Sequence, residues 1–258
     1  MLFLLSPAKT LDYESPLPDL PHTLPAFVHD ASRLIEVLRR KSPQELASMM
    51  DISDPLAALN VARYQAWTSK FTQRNARQAI LAFDGDVYDG LQARQLKPAD
   101  LEWAQQHLRM LSGLYGVLRP LDWMQPYRLE MGTSLQVGPA ANLYQYWGSR
   151  IAENLNQVLA ADKTPVVVNL ASQEYSRAVD RRALKSRVID CVFEEWRPSG
   201  WKVISFSAKK ARGLMARYAI TRRVETPRNL EKFNLEGYAF DPAASQAERL
   251  VFRRRMAP

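Results

Sequence analysis

The chain has 258 residues, 47% of them apolar, and a formal net charge of +8. That excludes a disordered or fibrous chain and fits one large domain or two small ones. A single cysteine, Cys191, excludes an internal disulfide and a cysteine-based metal site, and so suits a reducing compartment.

The N-terminus is apolar over MLFLL only, with no basic stretch before it. No run approaches the ~20 apolar residues of a membrane span, so the expectation is a cytoplasmic protein with no signal peptide and no membrane partner. Leu2–Leu5 reads as a short buried strand that opens the fold, and Ser6–Thr10 as the loop after it. Pro16, Pro18, Pro21 and Pro25 hold the next stretch extended, because proline fixes φ and lacks a donor. Ala26–Arg40 has the spacing of an amphipathic helix. Ser42 then caps a second helix, with Pro43 at its first position and Glu45 three residues past the cap, a capping box. The turn Asp51-Ile52-Ser53 leads into a helix through Trp67. Ala79–Phe83 is predicted as a strand, Pro98–Ser112 as a helix, and Gly113–Gly132 as irregular backbone rich in Gly, Pro and aromatics. A long helix is predicted over Asn142–Ala160. Pro165–Leu170 is a continuous apolar run that suits a central strand. Arg187–Trp196 and Trp201–Ser207 form a hairpin around RPSG, followed by a basic helix. Gly237–Asp241 and Leu250–Arg254 are the closing strands. Helices interleave with strands, without repeats or linkers. The prediction is therefore one compact α/β domain over 1–258, a mixed sheet surrounded by helices, with a helical insertion near residues 26–75.

The charge is lopsided. Residues 1–129 carry 14 Lys+Arg against 14 Asp+Glu, whereas residues 130–258 carry 21 against 13. Ser207–Arg223 has no acidic residue and holds Lys209, Lys210, Arg212, Arg217 and Arg223. At a period of about 3.6 these cations share one half of a helix, with Ala211, Leu214, Met215 and Tyr218 opposite. A surface helix docked by one face and presenting cations on the other is expected, and such a field favours a polyanion.

Other segments could carry chemistry. Lys9 follows the first strand, where α/β folds place binding groups, and can hold a phosphate as a point charge; no Walker glycines accompany it. Arg119 and Arg128 have planar forks suited to phosphate, with Tyr127 as a stacking surface beside Arg128. Alternatively they form structural ion pairs with Asp122 and Glu130. Asp84, Asp86 and Asp89 alternate as at the start of a calcium loop, but the later ligands are missing. Turn residues and arginine partners are favoured there over a metal site. Ser172 is read as a helix N-cap. A nucleophilic serine needs a base, and His22, His29 and His107 stand in no motif. Residues 42–67 resemble a helix-hairpin-helix, with Asp51, Ile52 and Ser53 in the hairpin. Ile52 plugs between the helices, and Asp51 and Ser53 replace the two glycines of that element; an ordinary helical hairpin is the alternative.

Taken in order, SPAKTLDY, ILAFDGDVYDGL, LSGLYGVLRPLDWMQPYRLEMG, VVNLASQEY, SAKKARGLMARY and NLEGYAFD resemble the YaaA family of bacterial peroxide-stress resistance proteins over nearly the whole chain. The resemblance implies a cytosolic protein that helps cells survive hydrogen peroxide and limits both unincorporated iron and oxidative DNA damage. It also implies a single α/β domain with a positively charged cleft and a helix-hairpin-helix element, binding duplex and branched DNA.

Two functions are weighed. The first is a DNA-binding protein of low sequence specificity, a monomer without a cofactor. It would contact duplex or four-way-junction DNA through Lys9, Arg119, Arg128, Lys209, Lys210, Arg212 and Arg217. The second is an enzyme acting on a nucleic acid or phosphorylated small molecule, which requires Lys9, Arg128, Asp84, Asp86 and Glu174 to converge. The reading favours binding over catalysis. Direct iron chelation fits poorly with three scattered histidines and one cysteine.

Overall fold

A computed structural model describes residues 1–255. The apolar N-terminus becomes β1 (Leu2–Leu5), buried throughout, and β2 (Thr10–Leu11) follows the loop after it. The insertion holds α1 (Val28–Leu38), α2 (Pro43–Met50) and α3 (Asp54–Ala66). The capping box forms as expected: Glu45 N donates to Ser42 Oγ at 3.2 Å and Ser42 N donates to Glu45 Oε2 at 2.8 Å. That backbone hydrogen bond, with Lys41 beside it, lowers the Glu45 carboxyl to about 2.

The middle of the chain holds β3 (Arg77–Gln78), α4 (Ala79–Ala82), β4 (Phe83–Asp84), α5 (Asp86–Leu91) and α6 (Pro98–His107). Next come β5 (Leu108–Ser112), β6 (Gly116–Leu118) and β7 (Trp123–Met124). Two expectations are corrected here. Ala79–Ala82 is a helical turn rather than a strand, started by Ala79 N and Ile80 N donating to Asp122 O and Pro120 O. The helix predicted over Pro98–Ser112 stops at His107, because Leu108–Ser112 pairs with β1. A strand slot beside β1 outweighs the local helical pattern.

The second half runs α7 (Leu143–Trp147), α8 (Arg150–Leu159), β8 (Val166–Asn169) and α9 (Gln173–Ser176). The single long helix expected over Asn142–Ala160 is broken at Gly148, whose φ is 52°. Then come β9 (Arg187–Arg197), β10 (Gly200–Lys202), α10 (Ser205–Arg222), α11 (Pro227–Leu230), β11 (Ala239–Phe240) and β12 (Arg249–Arg254).

One eight-stranded mixed sheet organises this domain, in the order β11-β12-β9-β8-β1-β5-β6, with β10 beside β9. Strands β5, β1, β8, β9 and β12 are parallel. The α/β class and the mixed sheet are as the sequence predicts.

The basic helix α10 departs from expectation. It is not a surface amphipath. Ala208, Ala211, Leu214, Met215, Ala216, Ala219 and Ile220 are all buried, so no broad face is left to solvent. It crosses α5 at two glycines. A Cβ on Gly213 would fall within the van der Waals shell of Val87 O, and one on Gly90 within that of Lys210 O. Small residues let the two backbones touch, and long cationic side chains leave the crossing by their stems.

Candidate functional site

The chain leaves β1 on one side toward β5 and, later, places β8 on the other. The ends of β1 and β8 are therefore a topological switch point, where open α/β sheets keep a crevice. The loop after β1 and the turn after β8 are laced together there. Ser172 N donates to Ser6 Oγ at 2.8 Å, Ser6 Oγ lies 3.3 Å from Ser172 Oγ, and Tyr88 O–H donates to Ser6 O at 3.0 Å. Ser172 occupies the N-cap position of α9, but its hydroxyl caps nothing. Among the described residues no histidine lines the crevice.

The crevice is a cleft of about 480 Å³. Lys9, Lys209 and Arg212 line it, and so do Asp84, Asp86, Glu130 and Glu174, with Tyr175 in the wall. Lys9 Nζ sits 2.7 Å from Glu130 Oε2, and Arg128 donates to Glu130 Oε1 at 3.0 Å from behind the wall. Lys209 Nζ stands 3.6 Å from Asp86, and Gly132 N donates to Glu174 Oε1 at 2.9 Å. Arg212 has no hydrogen-bond or carboxylate partner among the described residues, and its Nε is buried and unsatisfied. Burial lowers its pKa.

Lys9, Lys209 and Arg212 thus share one cleft, and Arg128 reaches it through Glu130. The other expected cations are engaged elsewhere. Arg119 clamps Asp122 at 2.9 Å, near the opposite ends of the parallel strands. Lys210 Nζ is 2.6 Å from Glu236. Arg217 donates to Leu91 O at 3.1 Å and Gln92 O at 3.0 Å, closing the C-terminus of α5. The acids differ from expectation too: Asp86 partners a lysine rather than an arginine. Among the described residues no group of three or more His, Cys, Asp or Glu is placed to hold a metal ion.

The hairpin at Asp51-Ile52-Ser53 joins α2 to α3. Asp51 takes the left-handed conformation (φ 50°) that glycine would adopt more easily. The N–H groups of Asp51 and Ile52 both donate to Ala47 O, ending α2, and the Ser53 side chain makes no cap hydrogen bond.

A second basic surface was missed in the sequence. Arg177, Arg181 and Arg182 line a depression of about 540 Å³ with Asp180. Helix α9 is the wall between it and the cleft: Ser172, Glu174 and Tyr175 face one side, Gln173 and Ser176 the other. The signal was available, since Arg177–Arg187 contains Arg177, Arg181, Arg182, Lys185 and Arg187 against Asp180 alone. The stronger charge run at Ser207–Arg223 masked it.

A family model described as peroxide stress protein YaaA matches residues 1–244. The chain belongs to this family. Relatives of high identity carry the name UPF0246 protein. That of Paracidovorax citrulli is 69% identical over 258 residues, all of both chains. That of Delftia acidovorans is 63% identical over 260 residues, again all of both. That of Bordetella petrii is 62% identical over 255 residues, 99% of this chain and all of the relative. Family membership places the chain among peroxide stress proteins. Among the described residues no helix is long and apolar enough to cross a membrane.

Proposed function

We propose that this peroxide stress protein acts by binding duplex and branched DNA with low sequence specificity. In this reading it works as a cytoplasmic monomer without a cofactor, shields the strand from oxidative damage, and affects free iron only indirectly. The supporting observation is the arginine surface beside α9. Arg182 is 93% exposed and only loosely paired with Asp180 at 3.4 Å, and Arg181 stands 3.5 Å from Asp190. Exposed pairs this loose are worth about 0–1 kcal/mol, so a phosphate can displace the carboxylate. Arg177 lies over the Tyr144 ring at 4.8 Å, a cation–aromatic pair that suits an unpaired base. Lys209, across α9 and loosely paired with Asp86 at 3.6 Å, extends the cationic surface to the cleft; Lys9 joins it only where a phosphate displaces Glu130. Arg119 and Lys210 carry no part of this proposal, because Asp122 and Glu236 already meet their charges, and neither does Arg217, whose guanidinium is held by the carbonyls at the end of α5.

The test is affinity for duplex and four-way-junction DNA across salt. Replacing Arg177, Arg181 and Arg182 together by Ala should weaken all sequences alike. It should also flatten the log K against log salt slope by about 1.8, at ~0.9 for each of the two phosphates held by Arg181 and Arg182. An unchanged slope, or no DNA binding by the parent at low salt, removes the reading.

Convergence of Lys9 with Asp84, Asp86 and Glu174 supports a second reading, an enzyme acting on a nucleic acid or phosphorylated small molecule. Turnover of an end-labelled strand or phosphorylated nucleoside that disappears in Lys9→Ala would establish it; absence of turnover in the parent rejects it.

A further inference from the structure

Resting on the DNA-binding reading, we propose that the cleft at the ends of β1 and β8 takes a single nucleotide. Its phosphate is held by Arg212 and Lys209, and its base edge by the unengaged carboxylate oxygens of Asp84 and Glu174 in the same lining.

Charge argues first. Three cations (Lys9, Lys209, Arg212) line the cleft together with four carboxylates (Asp84, Asp86, Glu130, Glu174). A track for a bare sugar–phosphate strand is net positive, and this one is not. Its ligand must bring hydrogen-bond donors as well as an anion. Adenine, cytosine and guanine present an exocyclic amine, whereas thymine has a lone ring N–H. Acceptors stand open for them. Among the described residues the Asp84 carboxylate has no side-chain partner, and Glu174 uses Oε1 on Gly132 while Oε2 is unengaged.

Arg212 argues second. A half-buried guanidinium with an unfilled donor costs stability, and an anionic ligand that fills it removes that cost. Arg128 Nε is likewise unsatisfied, but its Nη2 already holds Glu130, and Lys9 and Lys209 each have a carboxylate; of these cations Arg212 is the one with no partner among the described residues.

Size argues third. A volume of about 480 Å³ lies within the ~300–1,000 Å³ of small-molecule sites and is closed to a duplex. The Ser6–Ser172 lacing ties the loop after β1 to the turn after β8 and so fixes two segments of the cleft lining without a ligand. A nucleotide reaches such a pocket either turned out of a strand or as a free monophosphate. The recognition chemistry is the same.

Calorimetric titration of the full chain with dAMP, dGMP, dCMP, dTMP and inorganic phosphate tests the site. The three amine-bearing nucleotides should bind, dTMP about tenfold more weakly for want of the second donor, and phosphate not at all at the same concentrations. Arg212→Met should weaken every nucleotide by about tenfold or more while its Tm stays at or above the parent's. Glu174→Gln should bring the amine-bearing bases toward dTMP. A duplex containing 2-aminopurine separates the two sources. Emission that rises with the parent but not with R212M assigns a base turned out of the strand. Emission that stays quenched while monophosphates bind assigns the free nucleotide. No monophosphate binding together with no emission rise, or R212M binding like the parent, overturns the proposal. Duplex binding that survives such a result shows that the pocket alone is wrong. Nucleotide binding without duplex binding shows the reverse.

Discussion

Gly213→Leu is expected to lower stability by more than about 3 kcal/mol, the upper end for overpacking a core, because both surfaces at the crossing are backbone. No side chain can step aside: the added atoms meet Val87 O and Leu91 N. Helices α5 and α10 must part, which exposes Leu214, Leu91 and Val87. In a domain of this size that corresponds to a fall in Tm of about 10 °C, read by calorimetry. The same separation moves Lys209 and Arg212 away from Gly85–Val87, so nucleotide and DNA affinity should fall in whatever fraction remains folded. Gly213→Ala should cost less because it adds a single carbon, although that carbon already meets Val87 O. A G213L melt within about 2 °C of the parent would mean that the two helix backbones do not touch.

Arg254→Met should cost about 2–3 kcal/mol at neutral pH, because it strips two charge-assisted hydrogen bonds from a buried carboxylate and leaves Arg197, 2.7 Å from Oε2, as its remaining cation. Glu195 is 1% exposed, and its Oε1 accepts from Arg254 Nη2 at 2.6 Å and Nε at 3.0 Å. Burial pushes the Glu195 carboxyl up, but hydrogen bonds from Ser207 and Arg254 and the charge of Arg197 outweigh it, so the group ends below its ordinary value. A carboxyl depressed in the folded state contributes stability above its unfolded pKa near 4 and loses it as pH falls through the folded value. The parent should therefore weaken as pH drops below about 4. In R254M the lost partner raises the Glu195 pKa, so the gap from the parent should be widest near pH 7 and narrow toward acid. Glu195→Leu combined with Arg254→Met should recover much of the loss, since apolar replacement of a buried pair is often neutral or better. Urea unfolding across pH measures all three proteins. A double variant as weak as R254M would show that the cost is lost packing rather than an unpaired charge.

Much of the scaffold was legible because its causes are local or compositional. Leu2–Leu5 and Val166–Asn169 are unbroken apolar runs, and a strand buried on both faces leaves that mark. Ser42, Pro43 and Glu45 lie within one turn, so their reciprocal hydrogen bonds need no distant partner. Leu108–Ser112 was hidden because it continues a helical pattern, and only the slot beside β1 makes it a strand. Helix α10 was misjudged because a wheel sorted by charge ignores small residues. Gly213, Ala216 and Ala219 permit close approach on sides that the cations also occupy.

The sequence by itself determined the excess of positive charge, the two central strands and the family to which the chain belongs. Only the tertiary structure decided which cations are spent and which are free. The carboxylates that meet Lys209, Lys210, Arg223 and Lys9 are Asp86, Glu236, Asp100 and Glu130, each more than twenty residues away along the chain. A Coulomb pair depends on distance through space, and the path of the backbone sets that distance.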